Sequence, residues 1–167
     1  AVGREFQLVP YLVPPVAYVG HGPAGIAYYP GTGLGDRFTN HFFYADFPGG
    51  VRTFRVEPIG ASFRVADAGP WLEDNTATNI TGKVLWDLYP VDVAFPPGGG
   101  LVVADWVEGW EKTGKGRLWR VSDPALQTDP AIAEVRRLLG EGTAKRDRRE
   151  LIGLLGHRDM RVRLDAQ

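Results

Sequence analysis

Three short segments of this chain occur twice, in the same order. Gly25-Ile-Ala-Tyr-Tyr-Pro-Gly31 returns as Asp92-Val-Ala-Phe-Pro-Pro-Gly98. Tyr44-Ala-Asp-Phe47 returns as Val103-Ala-Asp-Trp106, and Arg52-Thr-Phe-Arg-Val56 as Arg117-Leu-Trp-Arg-Val121. The spacing of roughly sixty residues lies near the long end of the propeller and kelch periods. A unit of this kind cannot bury its apolar face alone, so successive units must stack on one another. The repeat predicts an all-β propeller fragment, about two four-stranded antiparallel blades over residues 1–122.

The strands follow from local punctuation. The Gly22-Pro23 turn signal sets the start of an inner strand over Gly25–Pro30. His41–Phe47 and Val51–Glu57 flank Pro48-Gly49-Gly50, a hairpin signal. Ala61–Ala66 makes a fourth strand. Residues 1–20, broken by Pro10, Pro14 and Pro15, read as an extended lead-in, and residues 70–87 as an irregular surface connection. The second unit comprises Val91–Phe95, Leu101–Asp105 and Arg117–Val121, with a loop from Glu108 to Gly116. The 22 glycines and 13 prolines suit many short strands joined by tight turns.

After Asp123 the pattern changes. Residues 123–128 read as a linker, and 129–167 as the start of HEAT-like helical repeats, a short α-helical hairpin. Asp129-Pro130 offers an N-cap with proline at the first helical position. Ile132, Val135, Leu138 and Leu139 then share one face, and Leu151, Ile152, Leu154 and Leu155 another. Asp159 caps a third helix carrying Val162 and Ala166.

The bulk properties exclude several classes. With no cysteine, the stretch holds no disulfide, thiolate metal site or haem attachment. A net charge of −1 gives no long-range steering toward nucleic acid, and no nucleic-acid partner is expected. No run approaches the length of a membrane span. The arginine-rich tail balances nine Lys and Arg against seven Asp and Glu over 129–167, a solvated helical surface. The chain lacks a signal-peptide pattern at Ala1 and stops at Gln167 inside a helical pattern, as a fragment of a longer protein would.

Few motifs carry chemistry. Gly109-Trp-Glu-Lys-Thr-Gly-Lys115 has phosphate-loop spacing but Gly116 where the magnesium-binding hydroxyl belongs, and a strand follows instead of a helix. Gly31, Gly33 and Gly35 have the wrong spacing for a dinucleotide fingerprint. Asn79-Ile-Thr81 is a sequon in the predicted surface connection. Ser62 and Ser122, the two serines, sit on no nucleophile elbow. His21 stands before the first inner strand, at the mouth of a propeller axis, where an acid/base or ligand role is open to it. Asp46 and Asp105 hold matching places; their recurrence favours carboxylates that accept backbone N–H groups at a strand exit over ligands for a cation or sugar. Trp106, Glu108, Trp110 and Lys115 cluster around one loop, a set suited to carbohydrate stacking or a partner surface. Trp86, Tyr89 and Trp119 read as core packing. No catalytic residue and no metal ligand is assigned.

His21-Gly-Pro-Ala-Gly-Ile-Ala-Tyr-Tyr-Pro-Gly-Thr32, His41-Phe-Phe-Tyr-Ala-Asp-Phe47, Val102-Val-Ala-Asp-Trp-Val-Glu-Gly-Trp110 and Gly114-Lys-Gly-Arg-Leu-Trp-Arg-Val121 together carry a family resemblance. They resemble the propeller of large bacterial proteins described as membrane-bound dehydrogenases. Those are similar to the soluble quinoprotein glucose/sorbosone dehydrogenases, and their propeller runs into HEAT repeats and often a c-type cytochrome module. The tail Leu154–Gln167 looks like a HEAT opening. The resemblance implies a sugar or polyol dehydrogenase of the periplasm or cell envelope. Pyrroloquinoline quinone and calcium would be its cofactors in the full-length protein; the further blades and the HEAT and cytochrome domains would be its partners. The catalytic histidine of that family lies in an earlier blade. Its quinone-holding lysine falls near Pro48-Gly49 and its arginine pair on Tyr89 and Val91, so no cofactor is expected on this chain itself. The other reading is a non-catalytic propeller and HEAT module that binds glycan or protein.

Overall fold

The computed structural model describes residues 20, 22–66 and 82–167. All but Gly20 of the predicted lead-in over 1–20, His21, the sequon at Asn79 and most of the 70–87 connection lie outside these residues. The described chain forms two antiparallel sheets followed by three short helices.

The first sheet joins β1 (Pro23–Tyr28), β2 (His41–Asp46) and β3 (Gly49–Ile59) as a meander. The long β3 has two partners on its far side. Its second half pairs with β4 (Ser62–Ala66), and its first half with β5 (Gly82–Leu88). β5 corrects the reading of 70–87 as irregular. Gly82-Lys-Val-Leu-Trp-Asp-Leu88 has a strand's composition, but no neighbouring turn signal announces its partner, which lies about thirty residues back along the chain at β3. The second sheet is a three-stranded meander of β6 (Pro90–Ala94), β7 (Leu101–Asp105) and β8 (Arg117–Val121). The first sheet thus has five described strands where four were named from the sequence, and the second has the three that were named, short of a four-stranded unit among the described residues.

The two meanders share their register. Pro23 lies opposite Asp46 and Gly25 opposite Ala45, with a one-residue bulge between. Pro90 lies opposite Asp105 and Asp92 opposite Ala104, with the same bulge. On the other side Asp46 faces Gly50 and Tyr44 faces Arg52, while Asp105 faces Arg117 and Val103 faces Trp119. Arg52 is therefore the counterpart of Trp119. The sequence match of Arg52 with Arg117 is two residues out of step. A slip of two preserves the side-chain face, so alternation of apolar and polar residues cannot detect it.

The sheets pack face to face around one core. Phe43, Ala45 and Val51 of the first sheet meet Val93, Leu101 and Val103 of the second, with Tyr29, Leu34, Phe38 and Leu88 closing the ends. Phe95 stands edge-on to both Phe43 and Tyr29, with centroids 5.1 and 5.5 Å away. The sheets lie close together at Gly25, where an added Cβ would collide with the backbone and carboxylate of Asp92. Only glycine permits this crossing.

Of the helices α1 (Pro130–Glu141), α2 (Arg148–Leu154) and α3 (Met160–Asp165), α1 and α3 begin on the predicted caps Asp129 and Asp159, and α2 begins on Asp147, which the sequence reading did not single out. The Asp129, Asp147 and Asp159 carboxylates accept from the N–H groups of Ala131, Glu150 and Arg161. Val135, Leu138 and Val162 form a second small core. Ile152 and Leu155 stay exposed, so only one edge of α2 is used. Residues 122–129 run largely exposed.

The joint between helices and sheets is polar. Asp159 is fully buried and accepts from the Thr32 hydroxyl and the Arg161 guanidinium, while Arg161 also donates to the Phe95 carbonyl at 2.7 Å. The Met160 N–H donates to the Pro30 carbonyl at 2.7 Å, and Arg158 reaches the Gly31 carbonyl and Asp36. Gly31, at φ +110°, leaves no room for a Cβ beside the Arg158 carbonyl.

Candidate functional site

Asp46 and Asp105 sit at the last residue of β2 and β7, at the same end of the two meanders. Asp46 Oδ1 accepts from the Gly22 N–H at 2.9 Å, and Asp105 Oδ1 from the Tyr89 N–H at 3.1 Å. Gly22 and Tyr89 each immediately precede the first strand of a meander. Their carbonyls accept in return from the N–H groups of Phe47 (2.8 Å) and Trp106 (2.9 Å). The second oxygens also match. Asp46 Oδ2 accepts from Arg52 Nε at 2.9 Å, and Asp105 Oδ2 from Trp119 Nε1 at 2.9 Å. Both carboxylates are buried and committed to closing the meander, which supports their structural reading.

Asp105 does one thing more. Its Oδ1 also accepts from the Val107 N–H at 3.0 Å. The Glu108 N–H then donates to the Trp106 carbonyl at 2.9 Å, making a three-residue γ-turn with Val107 at its centre. Val107 has φ +75°, a conformation costly for a β-branched residue. Burial opposes ionisation of Asp105, but the hydrogen bonds from the Trp119 indole and the Val107 and Tyr89 N–H groups outweigh it, holding the carboxyl below its usual range.

This strained turn carries the loop of candidate residues. Trp106 lies 6.0 Å from Phe47, its counterpart in the first meander, and 6.3 Å from Trp110. Trp110 stands edge-on to Phe47 at 5.1 Å and keeps 78% of its surface exposed. Tyr89 completes the group, 5.8 Å from Phe47. Four aromatic rings thus form one continuous patch at the end of both sheets, its outermost ring open to solvent. Glu108 and Lys115 pair at 2.5 Å across the same loop, both exposed, giving the patch one anionic and one cationic group.

The structure therefore brings together Trp106, Glu108, Trp110 and Lys115. It places Asp46 and Asp105 beneath them as supports, and His21 lies outside the described residues. Sequence reasoning missed Tyr89, assigned to the core, and the joining role of Phe47. The available signal was the repeat itself: Phe47 and Trp106 are equivalent aromatics at the same end of stacked units. Trp119 does pack against the main core, whereas Trp86 lies half-buried between Arg52 and Lys83, whose cationic groups sit 4.7 and 4.4 Å from its ring.

Pro48-Gly49, Tyr89 and Val91 offer no cation to the carboxylates of a quinone. The neighbouring Arg52 and Lys115 are paired with Asp46 and Glu108. These residues do not fit an anionic quinone. Among the described residues no group of three or more His, Asp or Glu is placed to hold a metal ion. No described helix is long and apolar enough to cross a membrane. No protein family, curated protein or solved structure matches the chain.

Proposed function

We propose that this chain is the sugar-contacting part of a β-propeller: two neighbouring blades that present the Phe47–Tyr89–Trp106–Trp110 patch to a neutral glycan or polyol, followed by the opening of a HEAT-type helical array. The observation that carries this is Trp110, 78% exposed yet held edge-on against Phe47. An exposed indole fixed by its neighbours offers a flat apolar face at little entropic cost, which the CH faces of a pyranose match. Glu108 and Lys115 supply an acceptor and donors for hydroxyl groups beside it.

The quinoprotein dehydrogenase reading has the family resemblance in its favour, together with the envelope location that resemblance implies. The residues at the expected clamp positions speak against a quinone on this part of the chain. In a longer protein of that kind, these two blades would bind the sugar, and redox chemistry would belong to other blades.

The test is a tryptophan-fluorescence titration of the folded chain with a panel of neutral oligosaccharides. Saturable quenching by at least one member is expected. Trp110→Ala should weaken it at least tenfold, about 1.4 kcal/mol, and Trp86→Phe should leave it intact. Absence of a saturable response across glucose-, xylose- and mannose-based oligomers would sink the reading.

A further inference from the structure

β3 and β8 hold the same place in the two meanders, as third strands, but their far edges differ. Gly50 and Arg117 are counterparts, each opposite the aspartate that ends the second strand. On β3 the stretch 50–53 pairs with β5, Gly50 against Trp86, Val51 against Leu85 and Arg52 against Lys83. The corresponding stretch 117–120 lies on β8, which ends its sheet, and among the described residues nothing pairs with its far side. Alternate backbone N–H and C=O groups along that edge have no ladder partner, which makes it a template for another strand. Leu118, in the middle of the stretch, is 74% exposed.

The edge has a chemical preference. Arg117-Leu-Trp-Arg-Val121 carries two exposed cations and no acid. The Arg117 guanidinium lies 4.9 Å over the Trp119 ring, and Arg120 donates to the Gly98 and Gly99 carbonyls at 2.7 and 3.0 Å. Among the described residues neither arginine is ion-paired. Asp105, opposite Arg117 in the ladder, gives its oxygens to Tyr89, Val107 and Trp119. Pairing of β8 with its own copy would bring four guanidinium groups into one antiparallel ladder, where like charges repel. The same arginines favour a strand with acids opposite them. A cleft of about 330 Å³ opens beside the edge, lined by Trp86 and Leu88 of β5 and by Arg117 and Trp119 of β8. Residues directly opposite in an antiparallel ladder project from the same face of the sheet. The residue of an added strand opposite Trp119 therefore projects to the side of the cleft.

We propose that the far edge of β8 is a strand-addition site for an extended, acidic segment of a partner protein, which pairs antiparallel to β8 as β5 pairs with β3. The preferred segment carries acids opposite Arg120 and Arg117 and an apolar residue opposite Leu118. Opposite Trp119 it carries a branched apolar residue that enters the cleft. Main-chain hydrogen bonds along the edge supply the affinity, and the alternating side chains supply the specificity. The proposal is independent of the sugar reading, because Trp110 belongs to the loop between β7 and β8 and takes no part in the edge.

The probe is the fluorescein-labelled peptide Thr-Glu-Ile-Val-Glu-Thr, titrated with the 167-residue chain and followed by fluorescence anisotropy. Saturable binding is expected, and the basic peptide Thr-Lys-Ile-Val-Lys-Thr should bind about tenfold more weakly or worse. Arg117→Glu combined with Arg120→Glu should reverse that preference. Two further acidic peptides, N-methylated on one or the other alternate set of amides, separate strand pairing from plain charge attraction. Methylation of the set that faces β8 should abolish binding, and methylation of the set that faces solvent should leave it intact. Absence of saturable binding, or equal affinity for the acidic and basic peptides, overturns the proposal. So does equal behaviour of the two N-methylated peptides. If the arginine variant is unfolded by circular dichroism, the peptide series on the wild-type chain decides. Self-association in sedimentation velocity that the acidic peptide competes away would assign the edge to a second copy and overturn the proposal as well.

Discussion

Asp46 and Asp105 hold the same corner of two successive meanders. Each accepts from the N–H that precedes the first strand of its meander, Gly22 at 2.9 Å and Tyr89 at 3.1 Å, and each gives its second oxygen to a donor on the third strand. The donors differ. Arg52 brings a charge, 4% exposed, whereas Trp119 brings a neutral indole N–H. Two chemically unlike side chains thus perform one geometric task.

That difference sets unequal costs. Asp105→Ala strands the N–H groups of Tyr89, Val107 and Trp119, and should cost about 1–3 kcal/mol. Asp46→Ala leaves the buried Arg52 guanidinium without its carboxylate and should cost about 3–5 kcal/mol. Urea denaturation of both variants checks the order. Equal losses would mean that the ion pair adds nothing over a neutral hydrogen bond.

A buried imidazole and a buried carboxyl both make stability fall as pH drops, in two separate windows. Burial opposes ionisation of Asp159, but the Arg161 hydrogen bond and charge and the Thr32 hydroxyl outweigh it, so its carboxyl titrates below the usual range. Its contribution is fully present above the unfolded value of about 3.9 and is lost as pH falls through the lower folded value. Burial also holds His41 below 6.5, its ordinary value. From about 6.5 down to that lower folded value the unfolded chain binds more protons, so stability falls as pH drops. Urea midpoints should decline between pH 7.5 and 5.5 in wild type and much less in His41→Gln, while Asp159→Asn should flatten the decline below pH 4. A His41→Gln variant with the wild-type slope above pH 5.5 would refute the assignment to His41.

Two meanders and two of the three helix caps, Asp129 and Asp159, were legible in the sequence, because each rests on a local signal: a repeated Ala-Asp-aromatic string, a Gly-Pro turn, or an Asp before a helical period; the Asp147 cap of α2 was not read. Local signals also missed what depends on distant partners. β5 pairs with β3 across a long excursion, and nothing within Gly82–Leu88 says so. The third strand was matched Arg52 to Arg117, because two arginines in like contexts outweighed a geometry that equates Arg52 with Trp119. The same limit hid the patch. Tyr89 looks like any strand-end aromatic until the stacking of the sheets brings Phe47 within 5.8 Å of it. Trp106, Glu108, Trp110 and Lys115 were legible because they share one loop.

The joint between α3 and the sheets should open before the sheets themselves. It depends on Asp159, Arg161 and Thr32, with few apolar contacts nearby. Thr32→Val should cost about 1–3 kcal/mol by removing one donor to a buried carboxylate. In native-state hydrogen exchange, Arg161→Ala should accelerate the Met160 amide, which donates to Pro30, while leaving amides of β2 and β7 nearly unchanged. Uniform acceleration across both regions would show that the joint is part of the global core.

Val107 is the place where the fold pays for its loop. A β-branched residue at φ +75° costs on the order of 1–3 kcal/mol, and here the Asp105 carboxylate and the Trp106 carbonyl hold it in that turn. Glycine takes this conformation without strain. Val107→Gly should therefore stabilise the chain by about 1 kcal/mol after the lost packing of a half-buried side chain, raising Tm by about 2–4 °C. Val107→Ala keeps the strain and loses the packing, so it should lower Tm. The same glycine frees the turn that aims Trp106 and Trp110, and it should weaken oligosaccharide binding while the protein becomes more stable. A Val107→Gly variant that is both less stable and unchanged in binding would show that the turn is set by the packing of the valine and has no part in presenting the patch.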